Sequence, residues 1–160
     1  MGIVSAKRTI PFIHYWRMNT KLIGIMLLLG TMSVNAQKIE FKADINEMSP
    51  MSYPARSGLS DFSFEMRNDS AFVHLPYMGE VYNPTYNNDG LNFDAPCVGL
   101  TVKPTKKKDG QMIEFSLKHD IVSYRFNITL WDNNRINIFM QPSNAQSCNY
   151  MGEWEKPQKK

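Results

Sequence analysis

The chain has 160 residues, with 18 lysines and arginines against 15 aspartates and glutamates and a formal net charge of +3. The excess sits at the N-terminus: Lys7, Arg8, Arg17 and Lys21 precede every acidic residue, so residues 37–160 hold 14 basic against 15 acidic groups, a net of −1. That balance withdraws support from a nucleic-acid reading, which needs net or clustered positive charge.

The first predicted element is a leader. Residues 18–36, MNTKLIGIMLLLGTMSVNA, join a short positive start at Lys21 to an apolar run over 22–32. Val34 and Ala36 then place small residues where a signal peptidase reads, before Gln37. The run is too short for the roughly 20 residues that cross a bilayer. Residues 18–36 are therefore expected to be a cleaved signal peptide, with residues 1–17 a mis-assigned upstream extension. The mature part, residues 37–156, is expected to be a single domain with a disordered tail at 157–160. At this size one core suffices without a metal or a dense disulfide net.

From Ile39 onward the dominant period is two. Ile39, Phe41, Ala43 and Ile45 share one face, followed by Phe62, Phe64 and Met66, then Ala71, Val73 and Leu75. Val98, Leu100 and Val102 come next, then Ile113, Phe115 and Leu117, then Tyr124, Phe126, Ile128 and Leu130. Ile136, Ile138 and Met140, and finally Cys148, Tyr150 and Trp154, complete the set. Such alternation marks half-buried strands, about eight of them. Asn and Asp at 67–70 and 131–134 suit tight hairpin turns because they tolerate positive φ. Short links force antiparallel neighbours. Residues 47–60 and 76–90 read as long loops. The Lys106-Lys107-Lys108 cluster falls in a hairpin turn and reads as a solvated surface. The fold class is all-β and antiparallel, either a barrel or a two-sheet sandwich.

Leu75-Pro76-Tyr77-x-Gly79-x-x-Tyr82 follows a hairpin and is followed by Gly90-Leu91-x-Phe93. A Lys-rich turn and the stretch YRFNITLWDNNRINIFMQPSNAQSCNYMG come next. In that order the chain resembles a family of secreted Bacteroidota proteins known as a domain of unknown function, number four-two-five-one, over about residues 39–154. The resemblance implies export to the periplasm or beyond and a compact β domain. It brings no catalytic residues. Cys97 and Cys148 are not part of its pattern.

The tetrapeptide YMGE occurs twice, at 77–80 and 150–153, within dissimilar flanks. It reads as two similar local solutions rather than a duplication. Gly79 is expected to take a backbone angle closed to other residues after the bend fixed by Pro76. Gly152 is expected to let a neighbouring segment approach its strand.

Chemistry is sparse. His74 lies on an outward strand face and His119 in a turn beside Asp120, and neither has a nucleophile at readable spacing. No His/Cys/Asp cluster has zinc spacing, and no cofactor is expected. Tyr77, Tyr82, Tyr86 and Phe93, with Asn83, Asn87 and Asn88 between them, form the one ligand-binding candidate. Rings stack and amides hydrogen-bond, which suits a peptide or glycan. The competing reading is a plug that closes one end of the core. In an oxidising compartment Cys97 and Cys148 are a candidate disulfide, against which strand parity argues. The expected function is a non-catalytic periplasmic or envelope binding or assembly module, without a transmembrane span in its mature part. A β-barrel carrier of a small apolar ligand, with Met48, Met51, Met66, Met112 and Met140 around it, is the alternative. An envelope hydrolase rests on compartment alone.

Overall fold

The computed structural model describes residues 39–82 and 90–156. The expected signal segment and its cleavage point, the tail at 157–160 and Tyr86 lie outside the described residues. Nine strands follow one another: β1 (Phe41–Pro50), β2 (Arg56–Arg67), β3 (Ser70–Leu75), β4 (Leu91–Pro96), β5 (Val98–Pro104), β6 (Gly110–His119), β7 (Val122–Trp131), β8 (Arg135–Pro142) and β9 (Cys148–Glu155). Every pairing is antiparallel, in the order β4-β3-β2-β1-β9-β8-β7-β6-β5.

That order curls the sheet. β4 and β5 are its two edges, yet only Cys97 separates them in the chain. The chain itself therefore carries one edge to the other, and the sheet is a nearly closed barrel rather than a sandwich. At the seam Phe93 of β4 stacks on His119 at the end of β6, ring centroids 4.4 Å apart and 7° from parallel. β5 is a poor template for further pairing. Gly99 has φ +69 within a register shift, and Lys103 and Pro104 end the strand, all devices that blunt an edge.

The inward sets are largely those that alternation predicts, except on the edge strand β5, where Val98 is 62% exposed and Leu100 and Val102 are only partly buried. Buried residues recur at every second position of β3, β7 and β8, and of β1 up to Ile45, where the bulge moves the set on to Met48 and Pro50. Aromatic rings fill the centre. Phe64 of β2 lies 5.5 Å from Phe126 of β7 and 6.4 Å from Phe115 of β6. Those strands are distant in sheet order, so the rings meet across the barrel axis. Each fully buried Phe contributes roughly 1.5–3 kcal/mol relative to exposure.

Turns behave as their residues dictate. Asn68 and Asp69 both have positive φ, 52° and 61°, as a two-residue hairpin turn requires. Asn134 (φ +65°) closes the β7–β8 turn, its N–H donating to the Trp131 carbonyl.

Two expectations change. β4 is a ninth strand; its six residues, just after Gly90, fell next to a stretch read as a long loop. The supposed loop 47–60 is mostly strand, since β1 runs to Pro50 and β2 starts at Arg56. The pairing survives there because it is bulged: the register passes from Ile45↔Phe62 to Glu47↔Ser57, so Asn46 alone faces residues 58–61. Gly58 (φ +75°) and Asp61 (φ +68°) make that detour possible.

Candidate functional site

β3 ends at the buried Leu75, and the chain then crosses one mouth of the barrel over residues 76–82. It does not cross alone. The β8–β9 connection runs beside it, bridged at Val81↔Ala145. The Tyr82 N–H donates to the Asn144 carbonyl at 2.9 Å and the Gln146 N–H to the Glu80 carbonyl at 3.0 Å. The Gln146 amide donates to the Glu80 carboxylate at 2.9 Å.

The two YMGE tyrosines close this lacing. The Tyr77 hydroxyl donates to the Gln146 carbonyl at 2.7 Å, and the Tyr150 hydroxyl to the Pro76 carbonyl at 2.8 Å. Each tyrosine comes from one copy of the tetrapeptide and ties down the backbone beside the other. Pro76 has no N–H to donate, so its carbonyl is its only backbone polar group, and Tyr150 satisfies it.

The reason for Gly79 differs from the expected one. Its φ is not positive, unlike Gly58, Gly90 and Gly99. A Cβ there would instead strike the Tyr77 phenol, lying 2.6 Å from its Cζ. The glycine vacates the space into which the Tyr77 ring folds. At Gly152 a Cβ would collide with the Asp44 carbonyl oxygen and lie 3.0 Å from the Cα of Ile45. This is where β1 bulges at Asn46 against β9, so the strands approach closely.

Two phenols and a thiol at this mouth, Tyr77, Tyr150 and Cys148, are held neutral. Burial pushes the Tyr77 phenol up to about 12 and the Cys148 thiol up to about 11. Burial also raises Tyr150 well above the ordinary phenol value, reinforced by neighbouring Cys148. A thiol or phenol shifted this way is a poor nucleophile, since activation requires a lowered value.

The described candidate rings take different places. Tyr77 folds inward as described. Phe93 packs at the core end between His119 and Tyr124. Tyr82 is 69% exposed, and Tyr86 lies outside the described residues. Tyr77 and Phe93 both pack against the core. His74 stacks on Phe62 and His119 on Phe93, so each histidine serves an aromatic contact. Among the described residues no group of three or more His, Cys, Asp or Glu side chains is placed to hold a metal. Sequence reasoning missed Gln146 and Glu80; the repeated YMGE was the one signal that marked this region.

The cysteines are both free. The Cys97 N–H donates to the carbonyl of Asp69 in the β2–β3 turn, at the end where β1 begins. Cys148 pairs with Pro50, where β1 finishes. A strand of that length spans roughly 30 Å, far beyond the about 7 Å reach of a bridge. The candidate disulfide is corrected on that ground.

A family described as "Domain of unknown function (DUF4251)" matches residues 32–154. The fold is similar to the crystal structure of a DUF4251 family protein from Bacteroides eggerthii DSM 20697, with a TM-score of 0.55 and 14% identity, covering 74% of this chain and 80% of that one. At that identity the likeness concerns the fold alone. No curated protein matches the chain.

Proposed function

Taking as premise that the chain belongs to the DUF4251 family, we propose that it is an exported, non-catalytic β domain that works through its outer surface, as a periplasmic or envelope binding or assembly module. The observation that carries this is the filled interior: Phe64, Phe115 and Phe126 meet across the axis, where a carrier would need a cavity. The methionines offered for such a cavity do not converge. Met48, Met66 and Met140 are buried, whereas Met51 is 77% exposed and Met112 also faces solvent.

Export rests on the leader at 18–36 and its small residues before Gln37. Among the described residues no helix is long and apolar enough to cross a membrane. The outward positions of β1 and β7, among them Lys42, Asp44, Ser123 and Arg125, are polar and exposed. A lipid-embedded barrel shows the reverse arrangement, with an apolar outer band.

The test has two parts. Intact mass of the exported protein is expected to place the mature N-terminus at Gln37; a mass retaining residues before Met32 would overturn export by this route. The purified chain, incubated in periplasmic extract and analysed by mass spectrometry, is expected to retain a protein or glycan. A stoichiometric small apolar molecule would overturn the surface reading and favour the carrier.

A further inference from the structure

The β1–β2 bulge leaves a groove of about 550 Å³ on the outside of the barrel, bounded by β1, the detour of β2 and the end of β9. That volume is in the range of ligand sites. Its composition is two-sided. The partly buried Leu59 and Phe62 supply apolar surface, while Asp44, Asp61 and Glu153 supply carboxylates. Among the described residues Lys42 is the one cation lining it, and it is already ion-paired with Asp44 at 3.7 Å. Arg135 of β8 stands directly opposite Glu153, but neither Asp61 nor Glu153 forms an ion pair among the described residues. Two carboxylates without an ion pair therefore stand beside an apolar wall, Asp61 accepting only a 3.3 Å hydrogen bond from its neighbour, the Ser60 hydroxyl.

Long basic side chains match that arrangement. Arg and Lys lay an apolar stem along hydrophobic surface and keep the charged head polar, and a guanidinium makes charge-assisted bonds to carboxylates. We propose that this groove is a binding site for a basic, arginine- or lysine-bearing peptide segment of a partner, with Asp61 and Glu153 receiving the cationic head and Leu59 and Phe62 the stem. The inference rests on the surface-acting reading above and assigns its ligand class.

Titration of the 15N-labelled chain with the peptide Ac-Arg-Arg-Arg-NH2, followed by backbone amide spectra, tests it. The expected result is saturable shifts confined to residues 42–46, 58–63 and 153. The combined Asp61→Asn and Glu153→Gln substitutions are expected to raise the dissociation constant at least tenfold, and Ac-Glu-Glu-Glu-NH2 to move nothing. Asn tolerates the positive φ of Asp61, so the detour survives; should the double variant lose its dispersed spectrum, Glu153→Gln alone, at an exposed position, is expected to weaken binding severalfold. Absent or scattered shifts, or shifts indifferent to these substitutions, overturn the site. Cadaverine binding as tightly as the peptide overturns the peptide as occupant. A silent groove in a chain that still retains a macromolecule from extract sinks this inference alone and leaves the surface-acting reading standing.

Discussion

Tyr150 reaches across 74 positions of sequence to donate its hydroxyl to the Pro76 carbonyl at 2.8 Å. The bond pins the segment that crosses the barrel mouth to the strand beneath it, and Tyr77 answers from the other side through Gln146. Removing one partner leaves a buried polar group unpaired, which costs more than the bond's net contribution. Tyr150→Phe is expected to lower stability by about 1–2 kcal/mol. Tyr77→Phe should cost somewhat less, because Tyr77 is only half-buried. The acceptors belong to two segments laced together, so the double variant should deviate from additivity by about 0.5 kcal/mol or more. Urea denaturation measures all three; strict additivity would show that the two hydroxyls act independently.

The two YMGE glycines should respond unequally. At Gly152 a new Cβ meets backbone of β1, the Asp44 carbonyl and the Ile45 Cα, and backbone in a paired strand cannot swing aside. Gly152→Ala is expected to cost at least about 3 kcal/mol or to prevent folding. At Gly79 the obstacle is the Tyr77 ring, a side chain that can move out at the expense of its hydrogen bond, for about 1 kcal/mol. Melting temperatures of the two alanine variants decide it; comparable losses would mean that the difference between backbone and side-chain obstacles is unimportant here.

Stability should fall in alkali. Burial raises Cys148 from 9.0 to about 11 and Tyr77 from 10.0 to about 12; burial, with a smaller effect of Asp69, also raises Cys97 to about 11. Each folded value lies above the unfolded one, so the fold prefers the protonated form. The stabilisation is complete below pH 9 and is lost as pH rises through the folded values, between about 9 and 12. The urea midpoint is expected to be flat from pH 7 to 8.5 and to decline beyond 9. Cys148→Ala should decline less steeply between pH 9 and 11, and an unchanged slope would exclude this thiol as a contributor.

Free-thiol titration of the denatured, unreduced chain should count two reactive thiols, since Cys97 and Cys148 lie at opposite ends of β1's span. In the native chain at pH 8 the buried Cys148 is expected to alkylate much more slowly than a free thiol. A count of zero would require the two strand ends to meet.

Period-two alternation settled the class of fold and nearly all of the core, because a strand's in-and-out pattern is a local property that burial stamps on every second residue. Phe41, Ala43 and Ile45, or Tyr124, Phe126 and Ile128, could be assigned to the interior with no partner strand in view. The Asn and Asp turns were equally legible, since positive φ is a matter of one residue's own sterics. Barrel closure was not. It depends on β4 and β5 standing at opposite edges of one sheet, and no spacing within LNFDAP or VGLTVKP encodes which distant strand each will pair with. The 58–61 detour hid a continuing hairpin behind what looked like loop composition. Gly79 looked like a backbone necessity and proved to be room for Tyr77, because a side chain's final position depends on what folds over it. The separation of Cys97 from Cys148, the bond from Tyr150 to Pro76 and the groove beside Asp61 all arise from contacts between residues remote in sequence. Such contacts form only where the whole sheet's pairing and packing bring them together.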